Sequence, residues 1–149
     1  MARIKLIAQT AEVALAAGVA KTVLQVKAAA NHRVLVKGWG VYFDGVSVAA
    51  EPVQVVMVRQ TSAGTMTSLT PVALGVYTET IQMTAAHTAT VEPTTGSEIL
   101  DIAEVHPQSG YEVKFPLGEE LIIAGGGYLG IVITAPAIVN VRAKILTEE

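Results

Sequence analysis

From position 139 to 145 the chain alternates without a fault: Val139, Val141, Ala143 and Ile145 are apolar, with Asn140, Arg142 and Lys144 between them. A period of two marks a strand with one buried and one solvated face. A helix cannot use it, because helical faces repeat every ~3.6 residues. Tyr111-Glu112-Val113-Lys114-Phe115 repeats the pattern, as does Arg3-Ile4-Lys5-Leu6, and Val13 and Leu15 resume it after a break near Gln9-Thr10. Residues 34–36, 53–58 and 131–133 are apolar on both faces, which requires cover from two sides, by this chain or by a neighbouring subunit. Turn formers separate these runs, among them Asp44-Gly45, Glu51-Pro52, Ala63-Gly64, Leu117-Gly118 and Ala135-Pro136. Ala-rich residues 11–20 are the best helical candidate, weakened by Gly18 and by β-branched flanks. The spacing therefore predicts an all-β chain. Residues 1–149 are expected to form one antiparallel β-sandwich or jelly roll, with residues 1–10 as an extended N-terminal arm.

The composition is unusual for such a domain. Hydrophobic residues make up 51% of the chain and charged residues only 15%, against roughly 25% charged in an average soluble domain. Either part of the chain lies in a membrane, or the folded protomer covers apolar surface with other chains. Residues 121–141 carry no charge and are long enough to span a bilayer as a helix. Four glycines, Pro136 and many β-branched residues in that stretch argue for strands instead. A signal peptide is not expected either, because Glu12 interrupts the apolar region that follows Arg3 and Lys5. Burial against partner chains is the reading carried forward, with no membrane association. The net charge is −3 and the ten Lys and Arg never cluster, so no nucleic-acid partner is expected. Cysteine is absent, which removes thiolate chemistry and cysteine metal sites.

Gly125, Gly127 and Gly130 formally match a dinucleotide-binding fingerprint. That motif works by opening a helix whose N-terminal N–H groups hold a pyrophosphate. Here Ile131-Val132-Ile133-Thr134-Ala135-Pro136 follows, which is strand and then proline. The expectation is a hairpin, with residues 121–124 as one strand, residues 128–134 as the next, and Gly125-Gly126 at the turn.

Catalytic groups are sparse. His32, His87 and His106 show no metal-ligand spacing and read as solvated or locally bonded, although three strands can bring distant histidines together. The acids Asp44, Glu79, Glu92, Glu98, Asp101, Glu104, Glu119 and Glu120 are scattered and read as surface charge. No serine lies in a nucleophile elbow. Trp39 reads as core, Met57, Met66 and Met83 as gap fillers, and the threonine-rich residues 61–70 as an exposed hairpin. No catalytic residue, cofactor or metal is expected, and the chain is not read as an enzyme.

The opening stretch from Met1 to Thr10, the stretch Asn31-His32-Arg33-Val34-Leu35-Val36-Lys37-Gly38-Trp39-Gly40-Val41, and the closing run from His106-Pro107-Gln108-Ser109-Gly110-Tyr111 to Lys144 carry a likeness. In texture over most of its length, the chain resembles capsid cement (decoration) proteins of tailed bacteriophages, of the jelly-roll type. The resemblance implies a homotrimer on the capsid exterior of the virion, clamping neighbouring major capsid protein subunits, after synthesis in the host cytoplasm. Interface residues expected within that reading are Arg3, Ile4, Lys5 and Leu6 in the arm, with Tyr128, Val139 and Val141 at a trimer core. The alternatives are a host- or carbohydrate-binding jelly-roll module of the virion and an enzyme on a β-sandwich using the histidines.

Overall fold

The structure, a computed structural model, describes residues 3–149. The alternating segments form thirteen strands in two antiparallel sheets, and the two sheets enclose one shared apolar core. In the seven-stranded sheet, β10 (Gly110–Lys114), β4 (Val34–Phe43), β13 (Val139–Glu148), β1 (Lys5–Gln9) and β7 (Val72–Ala73) lie side by side. The short strands β2 (Val13–Leu15) and β11 (Leu121–Ile123) pair with β13 and β4 respectively. The six-stranded sheet runs β6 (Thr65–Leu69), β8 (Thr84–Val91), β3 (Ala20–Lys27), β12 (Tyr128–Thr134), β5 (Val53–Gln60), β9 (Thr95–Val105). The all-β sandwich expected from periodicity is the observed fold, and the Ala-rich segment is not helical: it holds β2 and leads into β3.

Alternation places side chains as expected along β13, where Val139, Val141, Ala143 and Ile145 point into the core. The doubly apolar strand β5 buries Val53, Val55 and Met57 in the core and carries Val56 and Val58 on its outer face. Trp39 and Met83 are fully buried, as the core reading of the tryptophan required.

Three local expectations are corrected. Residues 121–124 and 128–134 do not form a hairpin, because β11 pairs with β4 in one sheet and β12 with β3 and β5 in the other. The turn between them reverses the chain and also carries it across the core, so that Ile123 and Leu129 pack from opposite walls. Its geometry still requires glycine. The Gly127 N–H donates to the Ala124 carbonyl at 2.8 Å, and Gly126, third in the turn, has φ +77°.

The expected N-terminal arm is a sheet strand over Lys5–Gln9. It pairs with β13 on one side and β7 on the other, because Leu6 and Ala8 alternate into the core and a free arm would leave them in water. Met1 and Ala2 lie outside the described residues. The threonine-rich segment is exposed, but β6 pairs with β8 at the far side of the sheet from β5, so it is not a hairpin.

Gly130 serves a different end. The Gln60 side chain lies across β12 at this position. Gln60 Oε1 accepts from Gln25 Nε2 at 2.7 Å, and Gln60 Nε2 donates to Thr22 Oγ1 at 3.0 Å. Thr22 donates through its N–H and its hydroxyl to Glu92, at 2.9 and 2.6 Å. Gln25 Nε2 also reaches the Ser62 carbonyl at 3.0 Å. This buried polar relay ties β3 to β5 over the strand between them, and a Cβ at position 130 would stand 2.6 Å from Gln60 Cδ.

Candidate functional site

Three loops meet at one end of the sandwich: residues 44–52 after β4, the turn at Pro107 after β9, and residues 135–138 before β13. Their side chains enclose a groove of about 350 Å³ lined mainly by Val46, Val53, Pro107, Pro136 and Ile138, with Glu51 its one charged residue. Val46, Val48 and Ile138 stand 91%, 83% and 82% exposed, which is unusual for side chains of this size grouped at one tip.

The tip is anchored by polar contacts at its base. Asp44 accepts hydrogen bonds from the Asn140 backbone N–H at 3.0 Å and from Asn140 Nδ2 at 2.9 Å, joining the loop to β13. These bonds to the ionised form, the side-chain one foremost, hold Asp44 below the usual carboxylate range. The Gly45 N–H donates to the Pro107 carbonyl at 2.7 Å. His106 Nδ1 receives the Gln108 N–H at 3.2 Å, and His106 Nε2 lies 3.4 Å from the Val48 carbonyl. Chemically, the tip can exclude water from an apolar partner.

Elsewhere the charges are organised into ladders. On β4, β10 and β13, Tyr42 donates to Glu112, and Lys144 Nζ lies 3.1 Å from the same carboxylate and 5.4 Å from the centre of the Tyr42 ring. The Tyr42 hydrogen bond, followed by that of Lys144, lowers the Glu112 pKa. At the opposite end of the seven-stranded sheet Lys37 bonds Glu120, and Arg3 Nη1 lies 3.1 Å from Glu148. The Lys37 hydrogen bond, with help from backbone N–H groups, pulls Glu120 from the ordinary glutamate value of 4.5 to about 2.

A pH dependence follows from these directions. Asp44, Glu112 and Glu120 each have a folded-state pKa below the unfolded one, so their contribution is complete above the unfolded value and lost as pH falls through the folded one. Urea midpoints are expected to hold steady from pH 7 to about pH 5 and to fall progressively from there towards pH 2. A midpoint unchanged at pH 3 would show that these bonds are not maintained in solution.

The expected interface residues do not share one surface. Ile4, Leu6, Val139 and Val141 are core side chains of the protomer itself and are not free to meet another chain. Their assignment is corrected on that ground: the alternation that made them conspicuous is satisfied within the sandwich. Arg3 and Lys5 are exposed, and Tyr128 is half-buried on the outer face of the six-stranded sheet, with Lys27 Nζ 5.1 Å from its ring centre. The histidines do not converge. His32 precedes β4 and bonds Asn31, His106 sits at the tip beyond the other end of that ten-residue strand, and His87 lies on β8 beside Thr88. Among the described residues, no three His, Asp or Glu side chains are grouped to hold a metal ion, and no helix is long and apolar enough to cross a membrane.

Val46, Val48 and Ile138 were not singled out by sequence reasoning. The available signal was valine and isoleucine among turn formers, in Gly45-Val46-Ser47-Val48 and Pro136-Ala137-Ile138, where no strand needs them. No protein-family model, curated protein or solved structure matches the chain.

Proposed function

We infer that this chain is a structural subunit of a virion, a cement (decoration) protein. In this reading it assembles as a homotrimer on the outside of a tailed-phage head and stabilises contacts between major capsid subunits. The observation that carries the reading is the apolar tip. Val46, Val48 and Ile138 project into water from loops anchored by Asp44 and Asn140, and a tip of that kind gains stability when another chain covers it. The low charged content agrees with a protomer that works while assembled. The specific assignment to a phage head rests on the sequence resemblance.

Native mass across a dilution series tests the first half of the reading. A protomer is 15.5 kDa, so the expected species has three times that mass and persists on dilution. Replacing Val46, Val48 and Ile138 together by aspartate should yield a folded monomer, because exposed positions tolerate charge while a covered interface does not. A wild-type monomer at micromolar concentration would sink the trimer. Sedimentation with purified phage heads lacking decoration tests the second half: co-sedimentation by the wild type and not by the aspartate variant is the expected result.

A further inference from the structure

The edge of the six-stranded sheet is not closed. Among the described residues β9 is the longest strand, at eleven residues, and β5 is its only partner in the sheet. Long unpaired edges offer N–H and C=O groups to any extended chain and are usually kept short or blunted by charge. This one carries Glu98, Asp101 and Glu104, with no lysine or arginine on the strand. It also carries Ile99 and Ile102, which are 59% and 53% exposed.

The register explains how the two isoleucines come to act together. Ile102 lies opposite Val56 and Ile99 opposite Val58, and the register shift between them, which skips Leu100, leaves both on the outer face. Asp101 lies opposite the core residue Met57, so it projects on the other side of the strand. Glu98 sits near it, bonded to Arg59 at 2.7 Å, while Asp101 and Glu104 have no ion-pair partner among the described residues. Glu104 lies opposite the exposed Gln54, so the outer face presents Ile99, Ile102 and Glu104, while Asp101 projects on the other. Asp101 Oδ1 also accepts the Ile102 N–H at 2.9 Å, so this N–H is held by a neighbouring side chain and not by β5.

Charge decides the occupant. A second copy of β9 in the antiparallel register centred on Asp101 would oppose Asp101 to Asp101, two carboxylates without an ion-pair partner among the described residues. Like charges directly opposite one another destabilise a strand pair. We propose that the open edge of β9 is a docking site for a cationic extended segment of a different chain, which adds a strand beside β9. Its apolar residues pack on Ile99 and Ile102, its lysines or arginines meet Asp101 on the opposite face with Glu104 adding negative charge beside Ile102, and Asp101 releases the Ile102 N–H to a carbonyl of the incoming strand. The proposal rests on this edge alone and stands apart from the virion reading.

The test uses the full chain and fluorescence anisotropy. The probe is a labelled peptide of alternating lysine and valine about ten residues long, compared with one of alternating glutamate and valine. The lysine peptide is expected to bind, to weaken as salt is raised, and to lose about tenfold or more in affinity with Asp101→Lys/Glu104→Lys. Ile102→Pro removes the outward N–H at an edge position that accepts proline, and it should abolish binding while leaving the melting temperature close to wild type. If Ile102→Pro unfolds the chain, the charge-reversal variant decides alone. Equal binding of the two peptides, or lysine-peptide affinity unchanged in a folded Ile102→Pro or in the charge-reversal variant, overturns the proposal. Its failure would leave the trimer and head-binding results untouched.

Discussion

In urea unfolding, Gly130→Ala is expected to cost about 3 kcal/mol, far more than the addition of one methyl group to a strand ordinarily does. The added Cβ would occupy the path of the Gln60 side chain, whose Cδ lies 2.6 Å from that position. Gln60 can rotate away only by giving up its bonds to Gln25 and Thr22, and all three residues are buried. A buried polar group left without its partner costs about 1–3 kcal/mol, and the displaced amide loses partners at both of its ends. Gln25 keeps the Ser62 carbonyl and Thr22 keeps Glu92, which caps the loss. The decisive comparison is the double variant. With Gln60→Ala already in place, the three atoms nearest the extra methyl are gone, and Gly130→Ala should then cost within about 0.5 kcal/mol of nothing. Additive costs would mean that the clash with Gln60 is not the cause.

Trp39 supplies the second large effect. It is fully buried between the sheets and packs on Tyr111 with ring centres 5.3 Å apart and planes tilted by 57°. Trp39→Ala should cost about 3–5 kcal/mol through lost burial and the cavity left behind. Trp39→Phe should cost much less, about 1–2 kcal/mol, for a reason specific to this site: the indole Nε1 has no protein hydrogen-bond acceptor among the described residues. Replacing it by carbon loses no bond and relieves an unpaired buried donor, while the stacking on Tyr111 is kept. Circular dichroism is the suitable readout, since Trp39 is the chain's one tryptophan and its fluorescence vanishes with it. If Trp39→Phe proved as costly as Trp39→Ala, the indole N–H would have a partner in solution after all.

The candidate surfaces were less legible than the core, and for a definite reason. Alternation flags residues that are buried, so Ile4, Leu6, Val139 and Val141 stood out and proved to be interior. The exposed apolar residues instead break the local pattern, as Val46, Val48 and Ile138 do in loops and as Ile99 and Ile102 do on an edge. The β9 stripe is invisible to a period of two, since its isoleucines are three residues apart and share a face only through the shift at Leu100.

What the sequence alone determined is the all-β character, the positions of most strands, the turns between them and the inward residues of strands such as β13. These depend on backbone geometry within a few residues, and period, β-branching and turn chemistry report them directly. The tertiary structure decided which sheet each strand joins. It split residues 121–134 between two walls of the core, placed the N-terminal segment inside a sheet, and laid Gln60 across Gly130. Hydrophobic burial is non-directional, so an apolar face states that it will be covered and not by what. A turn likewise states that the chain reverses, while only the competition among all strands for one core settles whether it returns to the same sheet.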